Sequence, residues 1–157
     1  MTESQTTPPP AAKQDSAIPP YGQDDTTFQS AGGVEGIRHL VDRFYDIMGS
    51  KPEYEKIHRW HPDETESRDK LARFLCGWMG GPRLFREKYG PIAIPKVHAH
   101  LNIQSAERDQ WLNCMSEALE TQDYPESLKA YLREQFKVPA GRIHTVCTRI
   151  HGSEGAE

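Results

Sequence analysis

At 157 residues, the chain is long enough for one domain of ordinary size with a buried core. Its formal net charge of -4 excludes the strongly basic surface of a typical nucleic-acid-binding protein. No apolar run approaches the roughly 20 residues of a transmembrane helix, and the start lacks the charged and apolar regions of a signal peptide. The sequence therefore predicts a cytoplasmic protein with neither a nucleic-acid nor a membrane partner.

The first part of the chain has a composition that favours disorder. Residues 1–25 hold five of the twelve prolines, together with Ser, Thr, Gln and Ala, and they offer too little apolar surface to offset the entropy of folding. The pattern becomes helical after Phe28. We predict a disordered, proline-rich extension over 1–25, one domain over 26–151 and a flexible C-terminus over 152–157.

Two helices are predicted in the first half of the domain. The first carries a wide apolar stripe at helical spacing and ends at Gly49. The second is capped by Asp63 or Thr65 and ends at Gly80. The connection over 50–62 is predicted to be a loop that includes one short helical turn.

Two more helices are predicted in the second half. One runs from Ala106 to about Thr121, with Ser105 as its candidate cap, and the other follows Pro125. We expect a kink or a short break in the last helix at Pro139. No segment shows convincing strand alternation, so the predicted fold class is all-α.

The segment from Gly80 to Ile103 has the least regular pattern. Its glycines and prolines interrupt every helical period, so we predict no regular helix or strand here. It nevertheless carries many apolar side chains, which is unusual for a solvated loop. We therefore expect a loop folded over an apolar object, with His98 presented to it, and a flat cofactor is an alternative to another helix.

The histidines leave three interpretations open. His98 and His100 form an HxH pair that a zinc site would use together with His58 or His61. Residues two apart diverge in a loop or helical turn, however, and no Cys or carboxylate stands at ligand spacing. A helical bundle with surface histidines is the second interpretation, and composition alone favours it.

A haem protein is the third interpretation. Haem iron needs one neutral imidazole, an apolar slot and a few polar hydrogens on its open side. His98, the apolar helix faces and the donors Tyr45, His61 and Trp111 supply these parts.

The three cysteines fit neither a disulfide framework nor a CxxC site, and we predict buried free thiols at Cys76, Cys114 and Cys147.

An ordered set of motifs resembles a known family. The strings are FLCGWMGGPRLFREKYG, KVHAHLNI and ERDQWLNCM, with a histidine eighteen residues after Gly80 and a tryptophan thirteen residues after that histidine. Over about Phe28 to Ile150, the chain resembles the group II truncated haemoglobins, small two-over-two globins of bacteria and plants. The resemblance implies a truncated two-over-two globin-like helical sandwich around haem b (iron protoporphyrin IX).

The resemblance also implies roles for individual residues near the iron. His98 takes the place of the proximal iron ligand, and His100 is the weaker candidate. Tyr45, which follows Phe44, matches the distal tyrosine, and Trp111 matches the tryptophan that marks this group. The residue before the proline of the next loop is His61, where many relatives have tyrosine, and His58 remains a rival for that place.

Further haem contacts are implied on the distal helix and in the central segment. They are small or apolar side chains: Ser67, Leu71, Phe74, Leu75, Phe85 and Val97. Three cations are candidates for pairing with the haem propionates: Arg83, Lys88 and Lys96.

The implied function is reversible binding of O2, CO and NO at a His-ligated iron in a polar distal pocket. Two hydrogen-bond donors would slow O2 release, which favours redox chemistry, sensing or scavenging over bulk oxygen transport. The alternative is a haem enzyme that converts NO and O2 to nitrate or that uses peroxide. Such turnover requires an external reductase. The protein is expected to be a monomer or a homodimer.

Overall fold

Helices dominate the computed structural model, which describes residues 20–61, 63–91, 94 and 98–151. No β-strand occurs among these residues, so the all-α prediction is confirmed. The described helices are α1 (Thr26–Ser30), α2 (Gly33–Ser50), α3 (Glu55–Arg59), α4 (Glu64–Trp78), α5 (Leu84–Tyr89), α6 (Ser105–Glu120) and α7 (Glu126–His151), with a 3-10 helix over Pro52–Tyr54 before α3.

Helix α2 is at the centre of the packing. It packs against both α4 and α6, and α6 packs in turn against α7. The apolar stripe predicted from the sequence is the buried face of α2: Ile37, Leu40, Val41, Phe44, Tyr45 and Met48. Burying a large apolar side chain stabilises the fold by about 1.5–3 kcal/mol, so this face alone is a major part of the core.

The two ends of α4 are fixed by local backbone chemistry. The Asp63 side chain accepts the backbone N–H of Glu66 at 3.1 Å, as one of the two predicted caps. At the other end Gly80 has a φ of 94°, and the N–H of Gly81 donates to the Cys76 carbonyl at 2.8 Å. A Cβ at Gly80 would lie 2.0 Å from the Asp24 carbonyl oxygen. The double glycine therefore ends α4. It also lets the backbone at Asp24 approach the end of this helix closely.

The prediction of no regular helix between Gly80 and Ile103 is wrong. Residues Leu84–Tyr89 form α5, and Gly90 ends it with a φ of 87°. Pro82 precedes the helix start, where a missing N–H costs little because the first turn has no intrahelical acceptor for it. The prolines and glycines bound a short helix here and do not abolish it.

The cap expected at Ser105 and the break expected at Pro139 are both absent. Helix α6 is capped by Gln104 and not by Ser105, because Gln104 forms a capping box with Glu107. Helix α7 continues through Pro139 without a break. An internal proline costs about 3 kcal/mol, and burial of α7 side chains such as Phe136 and Cys147 offsets that cost.

The structured part begins before the predicted domain boundary. The Tyr21 hydroxyl lies 2.9 Å from the Ser127 Oγ, and the Tyr21 ring lies 5.2 Å from the Tyr131 ring. Tyr21, which composition assigned to the extension, therefore packs on α7. The rest of the predicted extension and the predicted flexible C-terminus lie outside the described residues.

None of the described helices is long and apolar enough to cross a membrane.

All three cysteines are free and buried, as predicted. Burial raises the pKa of the Cys114 thiol to about 12 and also raises the pKa of Cys76. The Cys114 thiol donates to the Phe44 carbonyl at 3.3 Å. These thiols are parts of the core.

A single carboxylate joins α2, α4 and α5. Asp69 of α4 accepts hydrogen bonds from Arg38 at 2.7 Å, Tyr89 at 2.7 Å, Lys88 at 2.9 Å and Arg73 at 3.0 Å. Burial alone would raise the pKa of Asp69, but these donors outweigh it and hold the pKa well below its usual range. The carboxylate is therefore charged throughout the physiological pH range.

Asp69→Asn is expected to lower the free energy of unfolding by about 2 kcal/mol at pH 7, because hydrogen bonds to a charged group are lost. The pKa is lower in the folded state, so the contribution is complete above about pH 4 and declines as the pH falls further. Urea unfolding at pH 7, 5 and 3 measures this difference. The exposed Asp123→Asn serves as the control, and equal effects of both substitutions would contradict the assignment.

Candidate functional site

A large cavity lies between α2, α4, α5, α6 and α7. Its volume is about 570 Å³, within the roughly 300–1,000 Å³ of small-molecule sites. Much of its wall is apolar and aromatic, including Leu71, Phe74, Leu75, Phe85, Phe136 and Ile143. The shape and chemistry suit a flat, mostly apolar ligand.

His98 lies in the wall of this cavity and is held in one tautomer. Its Nδ1 is 2.8 Å from the Ile94 carbonyl oxygen. A carbonyl only accepts, so Nδ1 donates the proton and Nε2 keeps its lone pair. Burial lowers the pKa of His98, which favours the neutral ring. A neutral imidazole with a fixed outer hydrogen bond is the usual form of a metal-ligating histidine. His100 is exposed and does not line the cavity.

Two polar hydrogens in the cavity wall have no partner in the described part of the chain. Tyr45 is 3% exposed, and neither its hydroxyl nor the Trp111 indole N–H makes a hydrogen bond with a described residue. Burial raises the pKa of Tyr45 above its usual range, so the hydroxyl stays protonated. Buried Tyr and Trp usually have a hydrogen-bond partner. Both groups are therefore available to a ligand.

His61 lines the cavity beside Tyr45, with the two rings 5.4 Å apart. Its Nδ1 lies 2.9 Å from the Ile57 carbonyl oxygen, so Nδ1 donates and Nε2 is an acceptor. Burial lowers the pKa of His61 and keeps the ring neutral. The structure thus corrects the expectation that His61 is a donor, since in this tautomer it offers a lone pair.

The rival histidine does not reach the cavity. His58 Nε2 lies 3.3 Å from a carboxylate oxygen of Glu64, and the ring packs beside Gly49. It is absent from the cavity wall. The sequence left open which of these two histidines reaches the cavity, and of the two it is His61 that lines it.

The other predicted contact residues fall into three groups. Five line the cavity: Ser67, Leu71, Phe74, Leu75 and Phe85. Phe44 is fully buried behind the wall, with its ring 5.1 Å from the Tyr45 ring and 5.2 Å from the Trp111 ring. It therefore supports two cavity residues without lining the cavity. Val97 lies outside the described residues.

The cations in the cavity wall differ from those predicted. Lys88 is paired with Asp69 at 2.9 Å, and neither Lys88 nor Arg83 lines the cavity. Lys96 lies outside the described residues. Lys70 and Arg108 line the cavity, although they were not predicted. Lys70 is three residues after Ser67, so helical spacing alone would have placed it on the same face.

Helix α7 contributes an unpredicted part of the wall. Phe136, Pro139, Ala140 and Ile143 all line the cavity. Their spacing is that of one helix face. Because the sequence predicted a break at Pro139, these residues were not assigned to one face.

Among the described residues, no group of three His, Cys, Asp or Glu side chains has the arrangement of a metal site. The zinc interpretation therefore has no ligand set in this part of the chain.

Comparison with known proteins identifies the family. Residues 26–145 match the model of the bacterial-like globin family. The chain belongs to this family. Bacterial-like globins carry haem, so membership implies a haem-binding globin.

The most similar relatives include several truncated haemoglobins. The group 2 truncated haemoglobin YjbI of Bacillus subtilis is 29% identical over 119 residues, which span 76% of this chain and 89% of that protein. A cold-adapted truncated haemoglobin from the Antarctic bacterium Pseudoalteromonas haloplanktis is 31% identical with a TM-score of 0.71, covering 74% of this chain and 95% of its own. The group II 2-on-2 haemoglobin of Agrobacterium tumefaciens is 30% identical with a TM-score of 0.70, covering 74% and 92%.

These matches confirm the predicted group II truncated haemoglobin resemblance and the two-over-two globin fold. The cavity residues of this globin also fit a haem. A neutral imidazole with a free Nε2 lines the cavity at His98, and apolar side chains make up much of the wall. Tyr45 and Trp111 add polar hydrogens without a described partner.

Proposed function

We propose that this globin holds haem b in the cavity through His98 Nε2 and binds O2, CO and NO reversibly. When bound, haem iron supplies an open coordination position for such diatomic ligands. The observation that carries the proposal is His98 itself. Its Nδ1 donates to the Ile94 carbonyl at 2.8 Å and leaves Nε2 with a lone pair in the same cavity wall as Tyr45 and Trp111.

The polar side chains of the cavity would act on a diatomic ligand. Tyr45 stays protonated because burial raises its pKa, and its hydroxyl donates either to the ligand or to an acceptor. Trp111 lines the same cavity and is a donor only, so its N–H is proposed as a second donor to the ligand. His61 Nε2 is an acceptor and its ring lies 5.4 Å from the Tyr45 ring, so it can compete with the ligand for the Tyr45 hydroxyl. His61 is therefore proposed to weaken the hydrogen bond from the Tyr45 hydroxyl to the ligand, relative to the hydrogen bond from the Trp111 N–H.

Slow oxygen release follows from this arrangement. Each donor to a partly charged ligand contributes about 1.5–3 kcal/mol, or more than about tenfold in dissociation rate. A truncated haemoglobin from Bacillus subtilis, 28% identical over 74% of this chain, is described as oxygen-avid. The proposed role is therefore oxygen scavenging, sensing or redox chemistry and not bulk transport. The cytoplasmic location, the external reductase and the oligomeric state stay predictions.

The optical spectrum of the purified protein tests the proposal directly. A Soret band that shifts reversibly when the reduced protein is exposed to O2 or CO is the expected result. Failure to take up added haem would overturn the proposal, because a globin cavity with an available imidazole binds haem spontaneously.

Tyr45→Phe is expected to speed O2 dissociation by about tenfold, because one charge-assisted hydrogen bond is lost. The measurement is stopped-flow displacement of O2 by CO from the ferrous protein. Tyr124→Phe is the matched control, since its hydroxyl donates to the Ala31 carbonyl at 3.0 Å and its ring does not line the cavity. Equal rates in both variants would remove Tyr45 from the ligand contacts.

A further inference from the structure

The last turns of α7 hold the backbone at His98. The Cys147 thiol donates to the His98 carbonyl at 3.4 Å, and His151 Nε2 lies 2.9 Å from the Ala99 carbonyl. Cys147 and His151 are four residues apart, so they stand one above the other on one face of α7. Two side chains of one helix thus contact two consecutive carbonyls.

The two contacts differ in strength. The Cys147 side chain is fully buried, but a thiol is a weak donor, and the His98 carbonyl also accepts the Leu101 N–H at 3.0 Å. The Ala99 carbonyl only accepts, so His151 donates from Nε2 and forms the stronger bond. Their common effect is to fix the position of the main chain that carries His98.

Ring orientation and backbone position are separate requirements for a metal ligand. The Ile94 carbonyl sets the rotation of the His98 ring through Nδ1 at 2.8 Å. That bond comes from a nearby residue of the same segment, so it does not tie the segment to the rest of the fold. Cys147 and His151 provide such a tie from α7. Outer partners of this kind keep a ligand within reach of the metal.

These two residues also lie beyond the part of the chain that matches the globin family model. The match ends at residue 145, two residues before Cys147. The matched range itself therefore does not include the two contact residues.

We propose that Cys147 and His151 are positioning residues that hold the His98 backbone so that Nε2 stays directed at the haem iron. The inference rests on the proposed function, in which His98 is the axial ligand. Loss of both contacts lets the ligand segment shift, which alters the strain on the iron–histidine bond and eases its breakage.

The test uses the haem-loaded protein with Cys147→Ala, His151→Ala and the double variant. The readouts are the iron–histidine stretching band in the resonance Raman spectrum of the ferrous protein and the rate of haem transfer to excess apomyoglobin. We expect the double variant to shift the band and to lose haem about threefold to tenfold faster, as expected for one to two weak or neutral hydrogen bonds.

Matched controls separate positioning from general stability. Cys76→Ala removes another buried thiol, and Arg149→Ala removes an exposed α7 side chain between the two contact residues. Both are expected to keep the wild-type band. Cys147→Ser and His151→Gln retain a donor and are expected to restore the band at least in part.

The outcomes distinguish the inference from the proposed function. Absence of an iron–histidine band in the wild type, or its persistence in His98→Ala, would remove His98 as the ligand and the inference with it. If the wild type shows the band and the double variant matches Cys76→Ala and Arg149→Ala in both readouts, the positioning role alone is wrong. Donor-retaining variants that behave like the alanine variants would also overturn it.

Discussion

His98→Ala is expected to abolish stable haem retention, whereas His100→Ala keeps it. His98 has a neutral ring with Nε2 available in the cavity wall, and His100 is exposed and lies outside that wall. Removing an outer partner of a metal ligand costs roughly 10–100-fold in affinity, and loss of the ligand itself is expected to exceed that range. The effect is therefore the largest of any single substitution in the cavity.

The measurement is the optical spectrum after gel filtration, together with the rate of haem loss for both variants. Imidazole added to His98→Ala should refill the vacated space and restore a histidine-like ferrous spectrum. Because the two histidines are two residues apart on one short segment, His100→Ala also controls for local disturbance of the backbone. Equal haem loss in the two variants would show that the ligand is assigned wrongly.

Trp111→Phe is expected to raise the O2 dissociation rate by about tenfold to 150-fold. The indole N–H is a donor without a partner among the described residues, and phenylalanine keeps an aromatic ring in the same place. A hydrogen bond to a charged acceptor contributes about 1.5–3 kcal/mol, which gives this range. The effect on CO should be smaller, because bound CO carries less negative charge and gains less from a donor.

Trp78→Phe is the matched control for this substitution. Trp78 stacks on Phe136 with ring centroids 4.7 Å apart, and it does not line the cavity. Loss of aromatic volume without loss of a cavity donor should leave the O2 rate nearly unchanged. An unchanged rate in Trp111→Phe as well would exclude its N–H from ligand stabilisation.

The predicted contact residues that line the cavity on α4 lie on a strongly periodic helix. Leu71, Phe74 and Leu75 recur at helical spacing in α4, and the same spacing defines the face that lines the cavity. The all-α class followed from the same periodicity. Periodicity alone left the role of His98 open. The family resemblance supplied its role as the iron ligand, and that role remains a proposal.

The features that the sequence missed depend on tertiary contacts or on single hydrogen bonds. Composition gives no sign that Pro139 is tolerated inside α7, because the compensation comes from side chains packed elsewhere along that helix. The acceptor state of His61 depends on its 2.9 Å contact with the Ile57 carbonyl, which spacing does not reveal. The capping box at Gln104 was missed because it begins one residue before the expected cap.

The cavity wall is assembled from residues that are far apart in the chain, from Tyr45 in α2 to Ile143 in α7. During synthesis, α7 leaves the ribosome after the other described helices. A nascent chain that lacks α7 has an incomplete cavity wall, because Phe136, Pro139, Ala140 and Ile143 belong to that helix. We therefore expect capture of haem in this cavity to follow the synthesis of α7, the last of the described helices.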